Sequence, residues 1–461
     1  MELIKVVYRE SDLKNTCYLT QYQEKIYGLN SNENQINIKF GSLFQHVNKV
    51  IIDRNENLDT IYMSKDLASN ILIPSNTLLQ LKTGDDFIEL GPLVGVFVNS
   101  KKVAALSEGR TDSVYECISS AADKLYGIVE FFSFGDIDWE KRLVKAKLFE
   151  NTQWISRILP LPTIIYDRCF GSYGRGIALK FRDMLGSGYK VVNSFPKLGK
   201  LETITTLSKN SSLLGSIPET SIYRSSKDIE RMMLRHPSVY LKPDALYKGK
   251  GVFRLSKAKD GGYKLEHRSD DKNDIVYIST LDYIDDFIND YSILGGGYLI
   301  QQEIYKASYH DYPFDFRLLY QKNWKGVWQP SGMSVRMGAP GSIITSPRSG
   351  GAVAEFTNVL QDTFNEDIYT ENGIYEDVIR TGREVVETIE REFGDCVELG
   401  LDMTIDINRK VWIIEVNGKP LKVSLKWLND KSLMTRCYCR PLEYAVFLSG
   451  FTSADTESGG I

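Results

Sequence analysis

A strong charge of one sign is missing from this sequence. In its 461 residues, 56 Lys and Arg nearly balance 60 Asp and Glu, and the formal net charge is -4. A chain without a diffuse basic field is not expected to bind nucleic acid or an anionic membrane. Any anion site must therefore be local.

Cysteine and histidine are scarce. The six cysteines are scattered, and the only close pair, Cys437 and Cys439, has one residue between them instead of the two usual in zinc and redox pairs. We therefore expect reduced thiols. The four histidines stand in no Ser/His/Asp or Cys/His setting, so a hydrolase triad has no support.

Long apolar runs are absent as well. No stretch approaches the roughly 18 uncharged apolar residues of a membrane span. The N-terminal segment carries charges at Glu2, Lys5, Arg9 and Glu10, which leaves no room for the apolar part of a signal peptide. We therefore expect a cytoplasmic protein with no membrane partner.

What the sequence does have is length, a 42% hydrophobic composition and a change of pattern along the chain. The length suggests roughly two to four compact units. Residues 1–90 carry short alternating segments such as INIKF, which predict a small β-rich accessory domain. In residues 91–195, apolar strands such as GPLVGVFVN alternate with helical stretches, which indicates a parallel α/β sheet. Residues 196–461 carry the motifs of the candidate site.

Three oxygen-bearing side chains lie near a predicted hairpin in LGLDMTIDINRKVWIIEVNGKP. Glu415 and Asn417 are two residues apart on one strand and share a face, and the turn brings Asp402 back opposite them. Mg²⁺ prefers oxygen ligands and commonly shares them with nucleotide phosphates. The alternative is that these are solvent-facing hairpin residues, but the apolar run around Glu415 makes an unpaired carboxylate costly there.

A glycine-containing turn follows Lys242 in KPDALYKGKGV. Gly249 and Gly251 permit backbone conformations and close approach that suit a loop folding over phosphates, and Lys248 or Lys250 would add charge. The pattern is neither a P-loop nor GxGxxG. An ordinary basic hairpin turn is the alternative, because Gly and Lys are common turn residues.

The third motif is DFR, which places Asp315 and Arg317 on one face of a strand, with Arg336 on the next strand-like segment. An arginine fork suits the oxygens of a transferring phosphoryl group. A cross-strand ion pair is the alternative. The order of lysine, glycine loop, apolar strand, arginines and carboxylate hairpin favours a nucleotide site over the separate alternatives.

The carboxylate hairpin resembles the metal-binding end of the ATP-grasp superfamily, which includes D-alanine:D-alanine ligase and glutathione synthetase. In that family an Asp, a Glu thirteen residues later and an Asn two further on bind two Mg²⁺ ions, and Asp402, Glu415 and Asn417 have this spacing. A closer resemblance is to the YheC/YheD-type endospore coat-associated proteins. It covers roughly residues 90 to 448 and rests on motifs that include LPTIIYDR, IPET, YLKPDALYKGKGVFRL, FDFRLLYQK, GSIITSPRSGG and RPLEYAVFL.

The resemblance implies an α/β protein that is α+β in its C-terminal half. It would have an ATP-grasp domain of two subdomains at 196–461, a preceding parallel α/β domain at 91–195 and the small β-rich domain at 1–90. ATP would be held by residues of three kinds. The phosphate-binding lysines would be Lys200 and Lys242, the covering loop Gly249, Lys250 and Gly251, and the adenine and ribose contacts Gln302, Glu303, Ile304 and Asp315.

The same resemblance gives Arg317 and Arg336 the role of stabilising the transferring phosphate and the acyl phosphate. Arg168, at the end of LPTIIYDR, and Arg348 are candidates for binding the substrate. A structural ion pair is the alternative for Arg168. NGKPLK stands where NPKPG is expected, Ser346 stands where many relatives carry Asn, and Arg348 is displaced by one place, so the acceptor stays open.

The function that these features imply is an ATP- and Mg²⁺-dependent carboxylate-amine ligase that acts through an acyl phosphate. Its partners would be ATP, a small-molecule or peptide carboxylate and an amine acceptor. One alternative is a spore-associated structural or interaction protein that binds ATP without turnover. Another is a kinase-like transfer to a different acceptor. Association with the spore coat and with further copies of the chain also stays open.

Overall fold

The computed structural model describes residues 2–30, 32–52, 57–84, 87–109, 113–193, 198–246, 249–269, 272–339, 342–345 and 351–451. The chain divides into two compact units. The first comprises Met1–Ser194, Lys322–Val327 and Met434–Ile461, and the second comprises Phe195–Gln321 and Trp328–Leu433. Helices and strands occur in both, which confirms the mixed α/β class. Within the described ranges, no helix is long and apolar enough to cross a membrane.

The first unit begins with a closed β-barrel in the strand order β1-β5-β2-β4-β3-β7-β6. Its strand β3 alternates in burial, and Ile36, Ile38 and Phe40 point into the core. Closure leaves no free sheet edge. The elements are β1 Glu2–Arg9, β2 Thr16–Thr20, α1 Gln21–Ile26, β3 Gln35–Phe40, β4 Leu43–Ile52, β5 Thr60–Ser64, α2 Lys65–Ile71, β6 Thr77–Thr83 and β7 Phe87–Gly91.

A second sheet of the first unit has the order β10-β11-β9-β8-β13-β14, with β12 paired to β11. Strands β8, β9, β13 and β14 are parallel neighbours, and β8, β9 and β13 are buried along their whole length, as expected for a sheet covered on both faces. The β11–β12 hairpin adds an antiparallel part that the sequence pattern did not predict. The elements are β8 Leu93–Phe97, α3 Ser100–Ser107, α4 Ser113–Leu125, β9 Ile128–Phe132, β10 Ile137–Asp138, β11 Leu143–Glu150, β12 Gln153–Pro160, β13 Ile164–Asp167, α5 Gly171–Leu185 and β14 Lys190–Val192.

The second unit contains an antiparallel sheet in the order β15-β20-β16-β17-β18-β19. One face carries apolar residues such as Leu241, Leu255 and Ile300, which pack in a core with Ile229 of α7 and Ile284 and Ile288 of α8. The elements are α6 Lys200–Leu207, β15 Thr220–Ile222, α7 Ser226–Met233, β16 Ser238–Pro243, β17 Phe253–Lys257, β18 Tyr263–Ser269, β19 Lys272–Ile278, α8 Ile284–Gly295 and β20 Tyr298–Gln302.

Helix α6 is short, with eight residues. It ends at Leu207, and a separate 3₁₀ helix covers Ser211–Ser216. The side chain of Asn210 accepts a hydrogen bond from the N–H of Ser212 at 3.0 Å. Such a local bond competes with the helical pattern and starts a new element instead.

The other sheet of the second unit has the order β24-β23-β22-β25-β26, with β21 paired to β22. Helices α9 and α10 pack on its apolar face. The predicted hairpin is confirmed as β25 and β26. The elements are β21 Ser308–Tyr309, β22 Tyr312–Lys322, β23 Trp328–Met337, β24 Val353–Ala354, α9 Phe356–Phe364, α10 Ile374–Phe393, β25 Glu398–Ile405, β26 Val411–Asn417 and α11 Val423–Trp427. The last helix, α12 Lys431–Ser449, belongs from Met434 onward to the first unit.

Candidate active site

The charged residues predicted from the sequence lie on the polar face of the sheet that has the order β24-β23-β22-β25-β26. Alternate residues of each strand enter the core beside α10, as Phe316 of β22 and Leu401 of β25 do. Because side chains alternate along a strand, the residues between them lie on the opposite face. These are Asp315 and Arg317 on β22, Arg336 on β23, Asp402 on β25, and Glu415 and Asn417 on β26.

The register of the hairpin brings the three predicted metal ligands together. Asp402 is the direct partner of Glu415, and Gly400 is the partner of Asn417. The amide Nδ2 of Asn417 lies 3.5 Å from Oδ2 of Asp402. The register shifts between Asp402 and Met403, and such a bulge redirects side chains next to it. The predicted convergence of these side chains is therefore confirmed, while their role as ligands stays a prediction.

Two arginines hold the Asp402 carboxylate. Arg317 binds it with a fork, in which Nε donates to Oδ1 and Nη2 donates to Oδ2 at 2.8 Å. Nη2 of Arg336 lies 3.2 Å from Oδ1 of the same carboxylate. Burial works to raise the pKa of Asp402, but the two guanidinium groups outweigh it and hold the pKa below its ordinary value. Asp402 is therefore a carboxylate anion at neutral pH.

Asp315 is buried between a cation and a hydroxyl group. Its Oδ1 accepts a hydrogen bond from Nε of Arg336 at 2.6 Å, and its Oδ2 accepts one from the hydroxyl of Thr345. Thr345 was not among the residues chosen from the sequence, because a threonine in a loop carries no pattern of its own. The predicted contact of Asp315 with ribose would have to share these two partners.

Glu415 differs from Asp402 in its surroundings. Within the described part of the chain, its carboxylate accepts no hydrogen bond from a side chain or backbone group. Burial raises the pKa of Glu415, Lys200 opposes this, and the negative charge of Asp402 raises the pKa further. A cation between the two carboxylates would relieve both the burial penalty and the repulsion.

The donor set fits Mg²⁺. This ion is usually held by one or two carboxylates together with substrate phosphates and water, and not by a cage made only of protein ligands. In the described ranges no group of three or more His, Cys, Asp and Glu side chains forms a metal site. Asp402 and Glu415 would supply carboxylate oxygens, and Asn417 would supply its amide oxygen after a half-turn of the amide.

Two lysines of the second unit, Lys242 on β16 and Lys200 on α6, are close enough to the acidic hairpin to act on Glu415. Nζ of Lys242 donates to Oε1 of Gln301, and Nζ of Lys200 donates to the backbone carbonyl of Leu246 at 2.7 Å. Burial, and to a smaller extent Lys306, lower the pKa of Lys242 to about 7, although Glu415 opposes the shift. The predicted phosphate-binding lysines therefore lie in the electrostatic field of the predicted metal ligands.

Lys306 is a further cation that the sequence reasoning missed. It follows the predicted hinge, and a backbone bridge joins it to Asp406. Burial lowers the pKa of Lys306, while Asp315 raises it and Arg336 lowers it. A single lysine in a loop belongs to no sequence pattern. Only its place just after Gln302, Glu303 and Ile304 could have marked Lys306 as a site residue.

The glycine turn has the backbone that its sequence predicts. Gly249 and Gly251 have positive φ angles of 72° and 67°, and Lys250 between them is exposed. A Cβ on Gly249 would come within 2.8 Å of Cδ1 of Ile344. The turn therefore lies against the 342–345 segment, and its positive φ favours glycine. Lys248 lies outside the described residues.

The predicted hinge lies at the end of β20. The N–H of Gln302 donates to the carbonyl of Glu219 at 2.9 Å, and the N–H of Glu303 donates to the carbonyl of Ser238 at 3.2 Å. The side chain of Gln302 accepts a hydrogen bond from the N–H of Glu219 at 2.8 Å. These bonds hold Gln302 and Glu303 between two strands, and Ile304 follows directly.

Of the two predicted substrate-binding arginines, the structure describes one. Arg168 lies in the first unit and is 5% exposed. Its Nη1 donates to the hydroxyl of Tyr166 at 3.0 Å, and its guanidinium lies 5.0 Å from the ring centre of Phe170. These contacts orient Arg168 within the first unit, and its role in substrate binding stays a prediction. Arg348 and Ser346 lie outside the described residues.

Comparison with known proteins gives matches by sequence and by structure. The family described as YheC/D like ATP-grasp matches residues 188–448. Two Bacillus subtilis (strain 168) proteins are similar in sequence. Endospore coat-associated protein YheD is 25% identical over 397 residues, which are 85% of this chain and 86% of that protein. Endospore coat-associated protein YheC is 24% identical over 322 residues, which are 68% of this chain and 86% of that protein.

Solved structures of ligases are similar in part of the chain. The VanG D-Ala:D-Ser ligase from Enterococcus faecalis has a TM-score of 0.45 and 11% identity, and the match covers 77% of this chain and 100% of that one. D-cycloserine synthetase DcsG has a TM-score of 0.46 and 10% identity, and the match covers 76% of this chain and 100% of that one.

Proposed function

The chain belongs to the YheC/D-like ATP-grasp family, and we propose that it is an ATP- and Mg²⁺-dependent ligase that joins a carboxylate to an amine. The observation that carries this proposal is the charge cluster of the second unit. Lysines and arginines there surround a pair of opposed carboxylates at one hairpin. The cations are Lys200, Lys242, Lys306, Arg317 and Arg336, and the anions are Asp315, Asp402 and Glu415.

This cluster suits the polyphosphate of ATP. The whole chain has a net charge of -4, yet the cluster has more cations than anions. A local excess of positive charge in a partly buried place needs an anionic partner, because unpaired buried charges are costly. A nucleotide polyphosphate with its metal ion satisfies both the lysines and the carboxylates.

In the proposed reaction, a substrate carboxylate oxygen attacks the γ-phosphorus of ATP, and ADP leaves. The resulting acyl phosphate is then attacked by an amine, which forms the amide bond and releases phosphate and a proton. Arg317 and Arg336 would stabilise the charge on the phosphoryl group, since positioned cations supply most of the catalysis in such transfers. Lys200 and Lys242 would bind the phosphates, and the Gly249 to Gly251 turn would help to exclude water.

Mg²⁺ would be held by Asp402, Glu415 and Asn417. When bound, it neutralises phosphate charge and orients the transferring group. The ion pairs from Arg317 and Arg336 keep Asp402 ionised, which is the form that a metal ion binds.

Binding and turnover are tested separately. We expect ATP with Mg²⁺ to raise the unfolding temperature of the protein, by the equivalent of about 2.7 kcal/mol at a hundredfold excess over Kd. The absence of any shift at millimolar nucleotide would contradict the proposal.

Turnover is tested by incubating the protein with ATP, Mg²⁺ and pooled amino acids and peptides. The released phosphate and the masses of new products are then measured. ADP formation that depends on one added acid identifies the ligase.

A binding protein without turnover is the second candidate. Both curated relatives are named endospore coat-associated proteins, so a role in the spore coat is compatible with the family. Asp402 is also neutralised by two guanidinium groups, which reduces its need for a metal ion. Binding of ATP without ADP formation, in the presence of every acid and amine offered, would favour this candidate.

A further inference from the structure

The first sheet of the second unit has its own row of charged side chains. Val239 and Leu241 of β16 and Leu255 of β17 point into the apolar core. The residues that alternate with them point to the other face, together with their partners on neighbouring strands. On this face lie Ser238, Tyr240 and Lys242 of β16, Arg254 of β17, and Lys264 and Glu266 of β18.

Arg254 lies at the centre of this row and binds Glu303 with both ends of its guanidinium fork. Its Nε donates to Oε1 at 2.7 Å, and its Nη2 donates to Oε2 at 2.9 Å. Its remaining Nη1 binds Glu266, which also accepts a hydrogen bond from Lys264 at 2.9 Å. The hydroxyl of Ser238 donates to Oε2 of Glu303 as well.

These contacts occupy the whole Glu303 carboxylate. The exposed fraction of its side chain is 13%, and that of Arg254 is 24%. Charge-assisted bonds of this bidentate kind are short, strong and directional. Because its backbone N–H is bound to Ser238 as well, Glu303 is fixed at both its main chain and its side chain. The side chain is therefore not free to contact a nucleotide, and any such contact by Glu303 must use its backbone.

We propose that Arg254 is a positioning residue for adenine recognition, which acts by holding Glu303 so that the backbone of Gln302, Glu303 and Ile304 presents a fixed edge to the base. This inference rests on the proposed function, because it requires the protein to bind ATP at the predicted hinge. Arg254 lies 49 residues before Glu303 in sequence. Its position just after the glycine turn does not by itself indicate a role at the hinge.

The consequence is selectivity between bases. Adenine and guanine present different donors and acceptors, so a rigid backbone edge that pairs with one leaves polar groups unpaired with the other. Sites that read a hydrogen-bonding pattern in this way discriminate strongly. A hinge that can shift loses this discrimination, since small misplacements are costly.

The test measures Kd for ATP and for GTP, each with Mg²⁺, by calorimetry on the full chain. Arg254→Gln should weaken ATP binding by about tenfold, as expected for a lost charge-assisted hydrogen bond, and should change GTP binding much less. Arg254→Lys should fall between, because lysine keeps the charge but lacks the fork. Lys264→Gln is the matched control: it removes a cation that binds Glu266 but not Glu303, and should keep the wild-type ratio of affinities.

Arg254→Gln leaves Glu303 without its main partner and could unfold the sheet. The double variant Arg254→Gln, Glu303→Gln removes the unpaired charge, and it should be folded yet still have a reduced preference for ATP. If both variants keep the wild-type ratio of ATP to GTP affinity, or lose both affinities equally, Arg254 has only a structural role and the inference is wrong. If the wild-type protein binds no ATP, the proposed function itself fails.

Discussion

Arg317 and Asp402 are direct partners on the paired strands β22 and β25, and the arginine fork grips the carboxylate across that pair. The two residues are separated by 85 positions in sequence. Their side chains are 13% and 10% exposed. The pair therefore joins two strands of the sheet at the place where the metal ion and the transferring phosphate are proposed to meet.

Breaking this pair should destabilise the second unit. Arg317→Met should lower the free energy of unfolding by about 3 kcal/mol, because Asp402 would lose its forked partner while it stays buried. The double variant Arg317→Met, Asp402→Asn should recover part of that loss, because no buried charge is left without its partner. Urea unfolding of the two single variants and the double variant measures this. Strictly additive effects would show that the two side chains do not interact.

Glu415→Gln should keep the fold and remove turnover. The substitution keeps the shape of the side chain but removes one of the two anionic ligands of the proposed Mg²⁺. In a thermal-shift series, the variant should lose the part of the ATP effect that depends on Mg²⁺. Glu371→Gln, at an exposed position, serves as the control. Wild-type turnover by Glu415→Gln would show that the hairpin is not a metal site.

ATP affinity should fall as the pH rises above 7. Lys242 has a pKa of about 7 before nucleotide binds, set by burial, by Lys306 and Lys200, which lower it, and by Glu415 and Asp315, which raise it. Only the charged lysine attracts phosphate, so the affinity should decline by up to about tenfold per pH unit above the pKa. Calorimetry between about pH 6 and pH 9 measures this. Lys242→Arg, which stays charged, should flatten the profile, and an equally steep profile in that variant would assign the titration to another group.

Gly249→Ala should weaken ATP binding. Its φ of 72° is unfavourable for alanine, and the added Cβ would come within 2.8 Å of Ile344. Gly249→Ala combined with Ile344→Ala removes the clash but not the backbone strain, so it should recover only part of the affinity. Gly188→Ala is the control, because it has open space and no positive φ. Unchanged Kd for ATP in Gly249→Ala would remove this turn from the nucleotide site.

Glu130 should make the first unit less stable as the pH rises. It is fully buried on β9, and within the described residues neither carboxylate oxygen has a hydrogen-bond partner. Burial raises its pKa well above the ordinary value, so the folded state holds a proton that the unfolded state releases. Stability should be unaffected below the unfolded pKa, near 4.3, and should fall above it by up to about 1.4 kcal/mol per pH unit until the folded pKa is reached.

Glu130→Gln, which cannot ionise, provides the comparison for this effect. The difference in unfolding temperature between the variant and the wild-type protein should widen as the pH increases from about 5 to 8. Calorimetric scans across that range measure it. A constant difference would mean that Glu130 is already ionised in the folded protein.

The sequence by itself determined which face of each strand is polar. Side chains point to opposite faces with a period of two residues along a strand, so Asp315 with Arg317 and Glu415 with Asn417 could be placed on common faces without a structure. The hairpin was also predictable, because its two strands are adjacent in the chain and a short turn sets their register. Gly249 and Gly251 were chosen for the positive φ angles that they adopt.

Only the tertiary structure decided which partner each charged group has. Arg254 and Glu303 lie 49 residues apart, and Arg336 and Asp315 lie 21 apart, so their pairing depends on the order in which the strands assemble. Lys306 and Thr345 come from loops, where no periodicity marks a side chain that turns toward the site. The burial of Arg168 is likewise a property of the packed domain. Local pattern specifies the face of a strand, whereas partners, burial and pKa values depend on segments that meet only when the chain has folded.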